Sequence, residues 1–532
     1  MKKFLSVLIA SLILLTACGK KEEIPTKLND NYRNYYEIYV GGFYDSNGDG
    51  IGDLKGITQK LSYLNDGDPK TKSDIGIDGI WLMPINPSPT YHKYDVKDYY
   101  SIDPQYGTME DFNELTAACK KAGVDLILDL VLNHTSTQNQ WFQSAIQSLA
   151  IEPCGKDVCP YPEKCSEHNP FCKFYNFTKQ PSGKYYAVPG AGGWYYEAGF
   201  WDQMPDLNLD DPNVRQEILK ICRFWLDKGV KGFRLDAVIE FYNKNTTKNT
   251  EFLKWLTTEL QKVKPDVYMV GEAWTSQGII DQLYQSGIPS FFNYPFSNAE
   301  GLIIPAVKTA RGQEMAKAFE NNQRAIKAAN PNAIDAVFLT NHDNARSAGA
   351  LNRDLSLQKM AAAVYLFAPG NSFIYYGEEI GMTGSGKDEN KRQPFIWSLK
   401  DKSGMAQPVS GTTQFELPTA GMDEQAKDKN SLLSFYRDAI RLKDLNPEIA
   451  RGTISAIDLG NPSLCAYKSE FNGKTLYIIH NLDIEAIDIS LKNDIFKNVE
   501  MRGSIVAKTG NVSIKGNNLN MPSFSTVILR EK

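Results

Sequence analysis

Side chains that perform acid–base chemistry follow several short apolar runs in this 532-residue chain. They are Asp129 and His134 in "DLVLNH", Arg234 and Asp236 in "GFRLDA", Glu272 in "VGEAW", and His342 and Asp343 in "LTNHD". Any one of them, taken alone, is more often a salt-bridge partner or a cap. Their repeated position after apolar runs favours a single shared site.

Two of these carboxyl groups are predicted to differ in pKa. Arg234 and Asp236 are two residues apart, so in a strand their side chains share a face, and the guanidinium favours an ionised Asp236 suited to nucleophilic attack. Glu272 lies between the apolar "VYMVG" and Trp274, surroundings that raise a carboxyl pKa and suit a general acid. A pair of carboxyl groups tuned in opposite directions is what cleavage of a glycosidic bond requires.

The stretch "DSNGDGIGD" carries oxygen ligands at alternating positions, namely Asp45, Asn47, Asp49 and Asp53. An EF-hand starts in the same way but needs a bidentate glutamate at its twelfth position, where this chain has Gly56. The EF-hand is therefore excluded. The alternatives are another kind of calcium loop and a solvated turn.

The apolar runs are predicted to be strands that alternate with helices. They cover 36–43, 76–85, 124–134, 229–238, 267–274, 289–296, 335–343 and 371–379. Eight strands, each followed by a helix, predict a (β/α)8 TIM barrel, an α/β fold whose active face lies at the C-terminal ends of the strands. The acid, base and arginine side chains of "DLVLNH", "GFRLDA", "VGEAW" and "LTNHD" are then expected on one rim.

The connection after the third strand is too long for a simple loop and predicts an inserted subdomain. It contains Cys154, Cys159, Cys165 and Cys172 in a Pro-rich stretch. An even cluster outside the cytoplasm predicts two disulfides in one of three pairings, and a structural zinc site without a C-x2-C pair is the alternative. Three further cysteines are predicted to be buried free thiols: Cys119, Cys222 and Cys465.

The N-terminus has two lysines, an apolar run from Phe4 to Leu15 and small residues before Cys18, which is the pattern of a secretory signal. "LTAC" resembles a bacterial lipobox, which implies cleavage before Cys18 and its lipidation. An ordinary signal peptide is the alternative. We therefore expect an anchored protein of the cell envelope, facing the periplasm or the exterior.

The full predicted organisation has five parts. They are a signal peptide (1–18), a polar tether (19–33), the barrel (34–134 and 208–447), subdomain B (135–207) and a C-terminal antiparallel β-sandwich (448–532), the last inferred from short alternating runs and Asn-Gly turns. The net charge of −5 and the pI near 5.8 argue against nucleic acid as a partner, and 11% aromatic residues suit stacking on a neutral ligand. We expect a monomer.

The motifs "DLVLNH", "GFRLDA", "VGEAW" and "LTNHD" resemble, in order, the four signature regions of the α-amylase family of glycoside hydrolases (family 13). The resemblance covers about residues 34–532. It implies Asp236 as nucleophile, Glu272 as general acid/base and Asp343 as stabiliser of the transition state. Five residues would bind the sugar next to the cleaved bond: Tyr94, Asp129, His134, Arg234 and His342. Lys93 replaces a glycine that usually precedes this tyrosine, which predicts an altered loop.

The same resemblance implies calcium. The loop looks like the calcium loop of oligo-1,6-glucosidases, with Asp45, Asn47, Asp49, Asp53 and the Ile51 carbonyl as ligands. Its role would be structural. Many family members bind calcium through the residue that matches Asn133, and whether this chain does so is left open.

Within the family, "MPDLN" resembles a group intermediate between oligo-1,6-glucosidases and neopullulanases, which includes lipid-anchored bacterial α-amylases. Ala237 matches α-1,4 preference, and Tyr91, where exo-acting relatives have aspartate, favours an open cleft. Ile239 and Glu240 replace the Lys-His pair that binds the leaving glucan in many α-amylases, which favours transfer to another sugar.

We therefore expect an endo-acting α-amylase that acts on starch, glycogen or maltodextrins. The alternatives are a maltodextrin-acting α-glucosidase, cyclomaltodextrinase or transglycosylase, and a glucan-binding lipoprotein without catalysis. Four aromatic residues of the inserted subdomain are either stacking platforms or its small core: Trp194, Tyr195, Tyr196 and Trp201.

Overall fold

The structure is a computed structural model that describes residues 23–151, 153–492 and 495–532. The predicted signal peptide and the lipidation residue Cys18 lie outside the described residues. Within the described ranges, no helix is both long enough and apolar enough to cross a bilayer.

Eight parallel strands form the central sheet. They are β1 (Asn34–Ile38), β2 (Gly79–Leu82), β3 (Asp125–Leu130), β7 (Gly232–Leu235), β8 (Tyr268–Gly271), β9 (Ser290–Phe291), β10 (Ala336–Phe338) and β11 (Asn371–Tyr375). They pair in the order β10-β11-β1-β2-β3-β7-β8-β9. A parallel bridge between Phe292 and Ala336 joins the two ends of this sheet. The predicted (β/α)8 barrel is therefore confirmed.

The barrel interior is filled by large side chains and not left as a pore. A buried cluster inside it includes Tyr35, Trp81, Tyr268 and Phe373, and Tyr35 stacks on Phe373 with ring centroids 4.7 Å apart. Such packed layers are usual for the fold, and they leave the C-terminal rim as the place for a ligand site.

The helices surround this sheet. They are α1 (Val40–Phe43), α2 (Leu54–Leu64), α3 (Met109–Ala122), α4 (Gln140–Leu149), α5 (Pro212–Asp227), α6 (Thr246–Val263), α7 (Gln277–Leu283), α8 (Ile303–Lys308), α9 (Gly312–Ala329), α10 (Ser347–Ala350), α11 (Leu355–Leu366), α12 (Asp388–Lys391), α13 (Met422–Gln425), α14 (Leu432–Asp444) and α15 (Glu448–Arg451). Short 3-10 helices cover Pro162–Lys164, Pro170–Lys173, Tyr284–Ser286, Tyr294–Phe296 and Glu378–Ile380.

Local sequence explains where individual helices begin. Helix α3 has a capping box in which Thr108 and Asp111 bond each other's backbone, and it ends at Gly123 in the left-handed conformation. Helix α5 begins at Pro212, and the side chain of Asp211 caps it. The connection between β3 and α5 is thus as long as the sequence predicts.

That connection carries helix α4 and a small antiparallel sheet. Its strands are β4 (Phe177–Thr178), β5 (Tyr185–Ala187) and β6 (Tyr195–Glu197), in the order β4-β6-β5. The ring of Phe142, on α4, packs edge-on against Tyr175 and Tyr196. This is the core of the inserted segment.

The C-terminal part forms two antiparallel sheets, as predicted. The strands are β12 (Thr453–Ala456), β13 (Leu464–Phe471), β14 (Lys474–Asn481), β15 (Ile487–Ser490), β16 (Val499–Val506), β17 (Ser513–Lys515), β18 (Asn518–Met521) and β19 (Ser525–Glu531). The first sheet has the order β12-β13-β14-β19-β16 and the second the order β15-β18-β17. An apolar cluster that includes Tyr477, Ile489, Leu519 and Val527 fills the space between them.

Residues 23–33, the described part of the predicted tether, contact the barrel. Arg33 is buried and pairs with Asp125 at 2.8 Å, and Asp30 pairs with Arg451 at 2.7 Å. This segment therefore lies at the N-terminal ends of the barrel strands, away from the active rim.

The prediction of two disulfides needs correction. All four cysteines of the cluster, Cys154, Cys159, Cys165 and Cys172, are free in the described part of the chain. Three of them converge on His168, whereas Cys172 Sγ faces the carbonyl oxygen of Ala145 at 3.7 Å, so the cluster does not divide into two pairs. The other three predicted free thiols are confirmed as free and buried: Cys119, Cys222 and Cys465.

Candidate active site

The guanidinium of Arg234 is the centre of the site. Arg234 lies in β7 and is fully buried. Its Nη1 contacts Asp129 Oδ1 at 2.7 Å and Asp236 Oδ1 at 2.6 Å, and its Nη2 contacts Glu272 Oε2 at 2.8 Å. Strands β3, β7 and β8 are neighbours in the sheet, which is why carboxylates far apart in sequence reach one arginine.

The pKa of Asp236 differs from the sequence expectation. Burial raises it well above its ordinary value, Arg234 opposes this, and the negative charges of Glu272 and Asp129 add to it. Burial also raises the pKa of Asp129, to about 6, against the pull of Arg234. The charge of Arg234 does not offset the burial of Asp236, so the prediction that Arg234 keeps Asp236 ionised was wrong in the direction of the pKa shift.

Glu272 follows β8 and is held through both of its carboxyl oxygens. Tyr294 Oη donates to Oε1 at 3.0 Å, and the backbone N–H of Ala237 donates to Oε2 at 2.9 Å. Ala237 has φ = 45°, a left-handed conformation that costs energy for a residue with a side chain. This turn directly after Asp236 aims a backbone donor at Glu272, so the two carboxyl groups are positioned by one short segment.

Asp343 is held in its ionised form by two cations. Its Oδ2 lies 3.0 Å from Nε2 of His342 and its Oδ1 lies 2.9 Å from Nη2 of Arg392. Burial alone would raise the pKa of Asp343, but His342 and Arg392 hold it well below its usual range. Burial likewise disfavours a charged His342, yet Asp343 and Glu37 raise the pKa of this imidazole to about 9.

Tyr94 lies between these two groups of charges. Its Oη donates to Asp129 Oδ2 at 3.0 Å and lies 2.8 Å from Nε2 of His342, on whose ring it stacks with centroids 5.6 Å apart. Lys93, before it, adopts φ = 64°, a conformation that favours glycine, and its ammonium is buried against Asp103 at 2.8 Å. Lys93 thus has a backbone conformation that favours glycine, and its side chain is held in a buried ion pair.

His134 lies beyond β3, at the entrance to the inserted subdomain. Burial lowers the pKa of its imidazole to about 3, so the ring is neutral, and its buried Nε2 has no hydrogen-bond partner among the described residues. The neighbouring Asn133 amide donates to Asp206 Oδ1 at 3.1 Å. Phe200 meets the His134 ring edge-on at 5.1 Å. A neutral ring with a free polar atom suits a neutral sugar hydroxyl.

The loop "DSNGDGIGD" folds as a series of turns closed by its own side chains. Asp45 accepts the N–H groups of Gly48 and Gly50, and Asp49 accepts that of Ile51. Asp53 caps α2. Asp45, Asn47, Asp49, Asp53 and the Ile51 carbonyl present oxygen donors, which is the chemistry that calcium prefers. In this structure the carboxylates accept backbone N–H groups and do not converge as a compact group of ligand atoms, so the donor set fits calcium by its chemistry and not by its arrangement.

For the aromatic residues of the inserted subdomain, the sequence left two roles open: stacking platforms or the subdomain's small core. Tyr196 is 4% exposed and belongs to the subdomain core, whereas Trp201 is 43% exposed. The Trp194 ring packs under the Lys179 ammonium at 4.9 Å. On the rim itself, Trp274 is 52% exposed, and its ring stacks on Tyr294 with centroids 5.1 Å apart.

Three site residues were missed in the sequence, namely Glu37 in β1, Tyr294 after β9 and Arg392 after α12. Glu37 Oε1 lies 2.5 Å from His342 Nδ1, and Arg392 also donates to the Tyr91 hydroxyl at 3.2 Å. None belongs to one of the four motifs. Glu37, a charge inside an apolar predicted strand, was the one available signal.

Comparison with known proteins identifies the family and supports the fold. Residues 37–452 match the family described as "Alpha amylase, catalytic domain", and residues 464–528 match the "Alpha-amylase SusG C-terminal domain". "Alpha-amylase 3" of Dictyoglomus thermophilum is 36% identical over 94% of this chain and 93% of its own length.

Two solved structures agree with this match. "Eubacterium rectale Amy13B" superposes with a TM-score of 0.88 at 39% identity, covering 96% of this chain and 97% of that one. An α-amylase from H. orenii gives a TM-score of 0.83 at 33% identity and covers 94% of this chain and all of that one. The likeness thus extends over the barrel, the inserted segment and the C-terminal sheets.

Proposed function

The chain belongs to the α-amylase family of glycoside hydrolases, and from that premise we propose that it is a retaining enzyme cleaving α-1,4-glucosidic bonds within starch, glycogen or maltodextrins. The observation that carries the proposal is the pair Asp236 and Glu272 on the two ends of one guanidinium. A glucan-binding protein without catalysis has no use for this arrangement.

The arrangement supports a double displacement. Retaining glycosidases place their two carboxyl groups about 5 Å apart, closer than inverting ones. Asp236 and Glu272 contact the two terminal nitrogens of one guanidinium at 2.6 and 2.8 Å, which keeps the two carboxyl groups near each other. Asp236 would attack the anomeric carbon while protonated Glu272 gives its proton to the leaving oxygen. Glu272, now ionised, would then take a proton from the water that releases the sugar from Asp236.

The remaining residues would act on the sugar ring in the transition state. Asp343 is ionised and rigidly held, so it would accept hydrogen bonds from ring hydroxyls as positive charge develops on the sugar. Tyr94 would stack on the ring, and neutral His134 with charged His342 would bond its hydroxyls. Asp129 would act through Arg234 by fixing the position of the guanidinium.

The proposal of endo action rests on the residues that border the cleft at Tyr91 and on exposed aromatic rings near it. Tyr91, beside Arg392, leaves the cleft without the carboxylate that closes it in exo-acting relatives, and Trp274 and Trp201 offer exposed rings to a longer glucan. The test is a time course of products from soluble starch with the chain starting at Ile24. Maltooligosaccharides of mixed length with early loss of iodine staining are expected, and glucose alone from the outset would contradict endo action.

A maltodextrin-acting transglycosylase or α-glucosidase is the second candidate, favoured by Ile239 and Glu240. Neither side chain supplies the cation that binds the leaving glucan in many α-amylases. The leaving glucan would therefore be bound less tightly, and a second sugar could occupy its place as the acceptor. Products longer than the supplied maltooligosaccharide, seen in the same time course, would establish transfer.

Calcium, if bound, would have a structural role. The loop of Asp45, Asn47, Asp49, Ile51 and Asp53 leads from α1 into α2 and contains no residue of the catalytic centre. An ion there would neutralise the aspartates and fix the start of α2. Asn133 offers its amide to Asp206, and we propose no second site there.

Attachment to a membrane through a lipid on Cys18 is part of the proposal, as are a location in the cell envelope and a monomeric state. The support is the lipobox-like "LTAC" after a short apolar run. Metabolic labelling with a fatty acid tests it: label in the chain and none in Cys18→Ala is expected, and label-free chain would contradict the anchor.

A further inference from the structure

A group of metal-binding side chains lies in the inserted segment, apart from the residues of glycosidic chemistry. The group consists of Cys154, Cys159, Cys165 and His168. One ligand atom from each, the three sulfurs and a ring nitrogen, lies within 4.8 Å of all the others. It is the one such group of cysteine, histidine and acidic residues found in the described ranges.

Two sulfur–nitrogen distances within this group are close to those of a tetrahedral zinc site. His168 Nδ1 lies 3.6 Å from Cys154 Sγ and 3.3 Å from Cys165 Sγ. Zn–S and Zn–N bonds of about 2.3 and 2.1 Å at the tetrahedral angle separate sulfur from nitrogen by roughly 3.6 Å. A single ion therefore fits between these ligands without a large rearrangement.

A disulfide fits this group less well. A disulfide consumes sulfurs in pairs at about 2.0 Å, so it would leave one of the three converging sulfurs and the histidine without a partner. The fourth cysteine, Cys172, is not placed to pair with the remaining sulfur, because its Sγ faces the Ala145 carbonyl on α4. Three thiols and one imidazole form a complete set of four zinc ligands.

The backbone holds two of the ligands in a tight turn. The carbonyl oxygen of Cys165 accepts the N–H groups of His168 at 3.1 Å and Asn169 at 2.8 Å. The Asn169 side chain is buried and donates to the hydroxyls of Ser144 and Ser148 on α4, at 2.9 and 2.7 Å. Hydrogen bonds thus tie the turn with these two ligands to helix α4.

The segment around the group has almost no core of its own. Between residues 153 and 173, the buried residues are Cys165 and Asn169, and Val158 and Tyr161 are 84% and 65% exposed. A stretch that buries so little apolar surface needs another source of order, and a structural metal is one that small domains use.

From these observations we propose that Cys154, Cys159, Cys165 and His168 bind one zinc ion that fixes the 153–173 segment against α4. All four coordination positions are filled by protein, so the site is structural and leaves no place for a substrate or water. Binding releases the thiol protons, and the bound thiolates are protected from pairing with one another.

The test uses the full chain purified without chelators or reductants. Elemental analysis is expected to give about one zinc per chain. Alkylation in denaturant plus chelator, again without reductant, is expected to modify Cys154, Cys159 and Cys165 completely. Cobalt in place of zinc is expected to give the intense visible absorption of tetrahedral thiolate coordination.

Two variants and a matched control locate the metal. Cys165→Ser and His168→Ala are expected to lose the zinc, whereas Cys172→Ser, in the same segment, keeps it. His168→Ala is the safer variant because its ring is part exposed. With calcium kept in excess, a zinc-selective chelator is expected to lower the melting temperature of the unmodified chain and of Cys172→Ser, but to leave that of His168→Ala unchanged.

Two results would overturn the proposal. One is a chain that stays zinc-free after zinc is supplied under reducing conditions. The other is a pair among the three cysteines that reacts with the alkylating reagent only after reduction, which would establish a disulfide there. Zinc retained at full stoichiometry by His168→Ala would also contradict the assignment of this ligand.

Discussion

At the scale of single residues, the charge of Arg234 decides the electrostatics of the site. Asp129, Asp236 and Glu272 all contact its guanidinium. Burial and the charges of the other two carboxylates raise the pKa of Asp236. A nucleophile with a raised pKa becomes ionised only at higher pH. We therefore expect the acid limb of the pH profile of kcat/KM to have its midpoint at a higher pH than the ordinary pKa of an aspartate.

Asp129→Asn tests this account. Removal of the Asp129 charge takes away one of the groups that raise the pKa of Asp236. A lower pKa means that Asp236 is ionised at lower pH, so the acid limb of kcat/KM should move to lower pH, by roughly one unit. The measurement is the pH profile on a chromogenic maltooligosaccharide.

The control for that variant is Asp227→Asn, an exposed residue at the end of α5. Its profile should coincide with that of the unmodified chain. An acid limb for Asp129→Asn that stays in place, or moves to higher pH, would contradict the shared-charge account.

The sequence was sufficient for residues that lie in continuous motifs. Asp129, Arg234, Asp236 and Glu272 lie within or directly after barrel strands, and Asp343 follows β10 in the loop, so the barrel geometry brings them to one rim. Arg392 and Tyr294 reach the site from loops whose paths depend on long-range packing, and no spacing in the sequence fixes them. The same limit applies to the pKa of Asp236, which depends on neighbours from other strands.

At the scale of elements, the loop that carries Tyr94 depends on a buried ion pair. Lys93 and Asp103 are 3% and 6% exposed at their side chains. Lys93→Met leaves the Asp103 carboxylate buried without its counter-ion, which costs about 3–5 kcal/mol. We expect a lower melting temperature and a lower kcat, because Tyr94 follows this residue directly.

Lys254→Met is the matched control for that change, since Lys254 is an exposed residue of α6. Its effect should stay within about 0.5 kcal/mol. Equal melting temperatures for the two variants would show that the Lys93 ion pair does not hold the loop.

The pairing of β7 with β8 requires a glycine. A Cβ added at Gly232 would lie 1.7 Å from the carbonyl oxygen of Tyr268, a clash with backbone that no rotamer relieves. Because these strands carry Arg234 and Glu272, Gly232→Ala should cost more than about 4 kcal/mol and abolish activity in whatever chain remains folded.

Gly278→Ala provides the comparison for Gly232→Ala. Gly278 lies in α7, a Cβ added there would meet no heavy atom within 4 Å, and alanine is the better helix former by about 1 kcal/mol. Thermal melting of the two proteins should move in opposite directions. A Gly232→Ala protein as stable as the unmodified chain would contradict the close strand contact.

The strands were identified correctly but their lengths were not. The predicted runs cover eight to eleven residues, whereas β9 has two residues and β11 has five. Apolar residues continue past the last strand hydrogen bond, because the rim and the helix layer bury them as well. Hydrophobicity therefore marks burial in this barrel more than it marks strand pairing.

At the scale of the whole molecule, the C-terminal sheets share a core with the barrel. One buried cluster runs from barrel residues to Cys465, Tyr467 and Ile528, and Tyr467 Oη donates to the Phe367 carbonyl at 2.7 Å. The sequence predicted the sandwich from its alternation, but the contact could not be predicted, because it joins helices and strands far apart in the chain.

Calcium is expected to act on stability more than on chemistry. For chain stripped of metal and reloaded with zinc, calcium should raise the melting temperature and change the initial rate at low temperature little. Asp49→Ala, which removes an exposed side chain of the loop, should abolish this calcium dependence. An immediate loss of rate on calcium removal, without a change in melting, would contradict a structural role.

The most direct measurement for the central claim is capture of the glycosyl-enzyme. A fluorinated α-maltosyl fluoride, which forms the intermediate faster than water removes it, should add one fluorinated maltosyl group to the chain. Peptide mass spectrometry should place this sugar on Asp236, and Asp236→Asn should remain unlabelled. A sugar on Glu272 or Asp343, or full turnover by Asp236→Asn with deamidation excluded, would contradict the account.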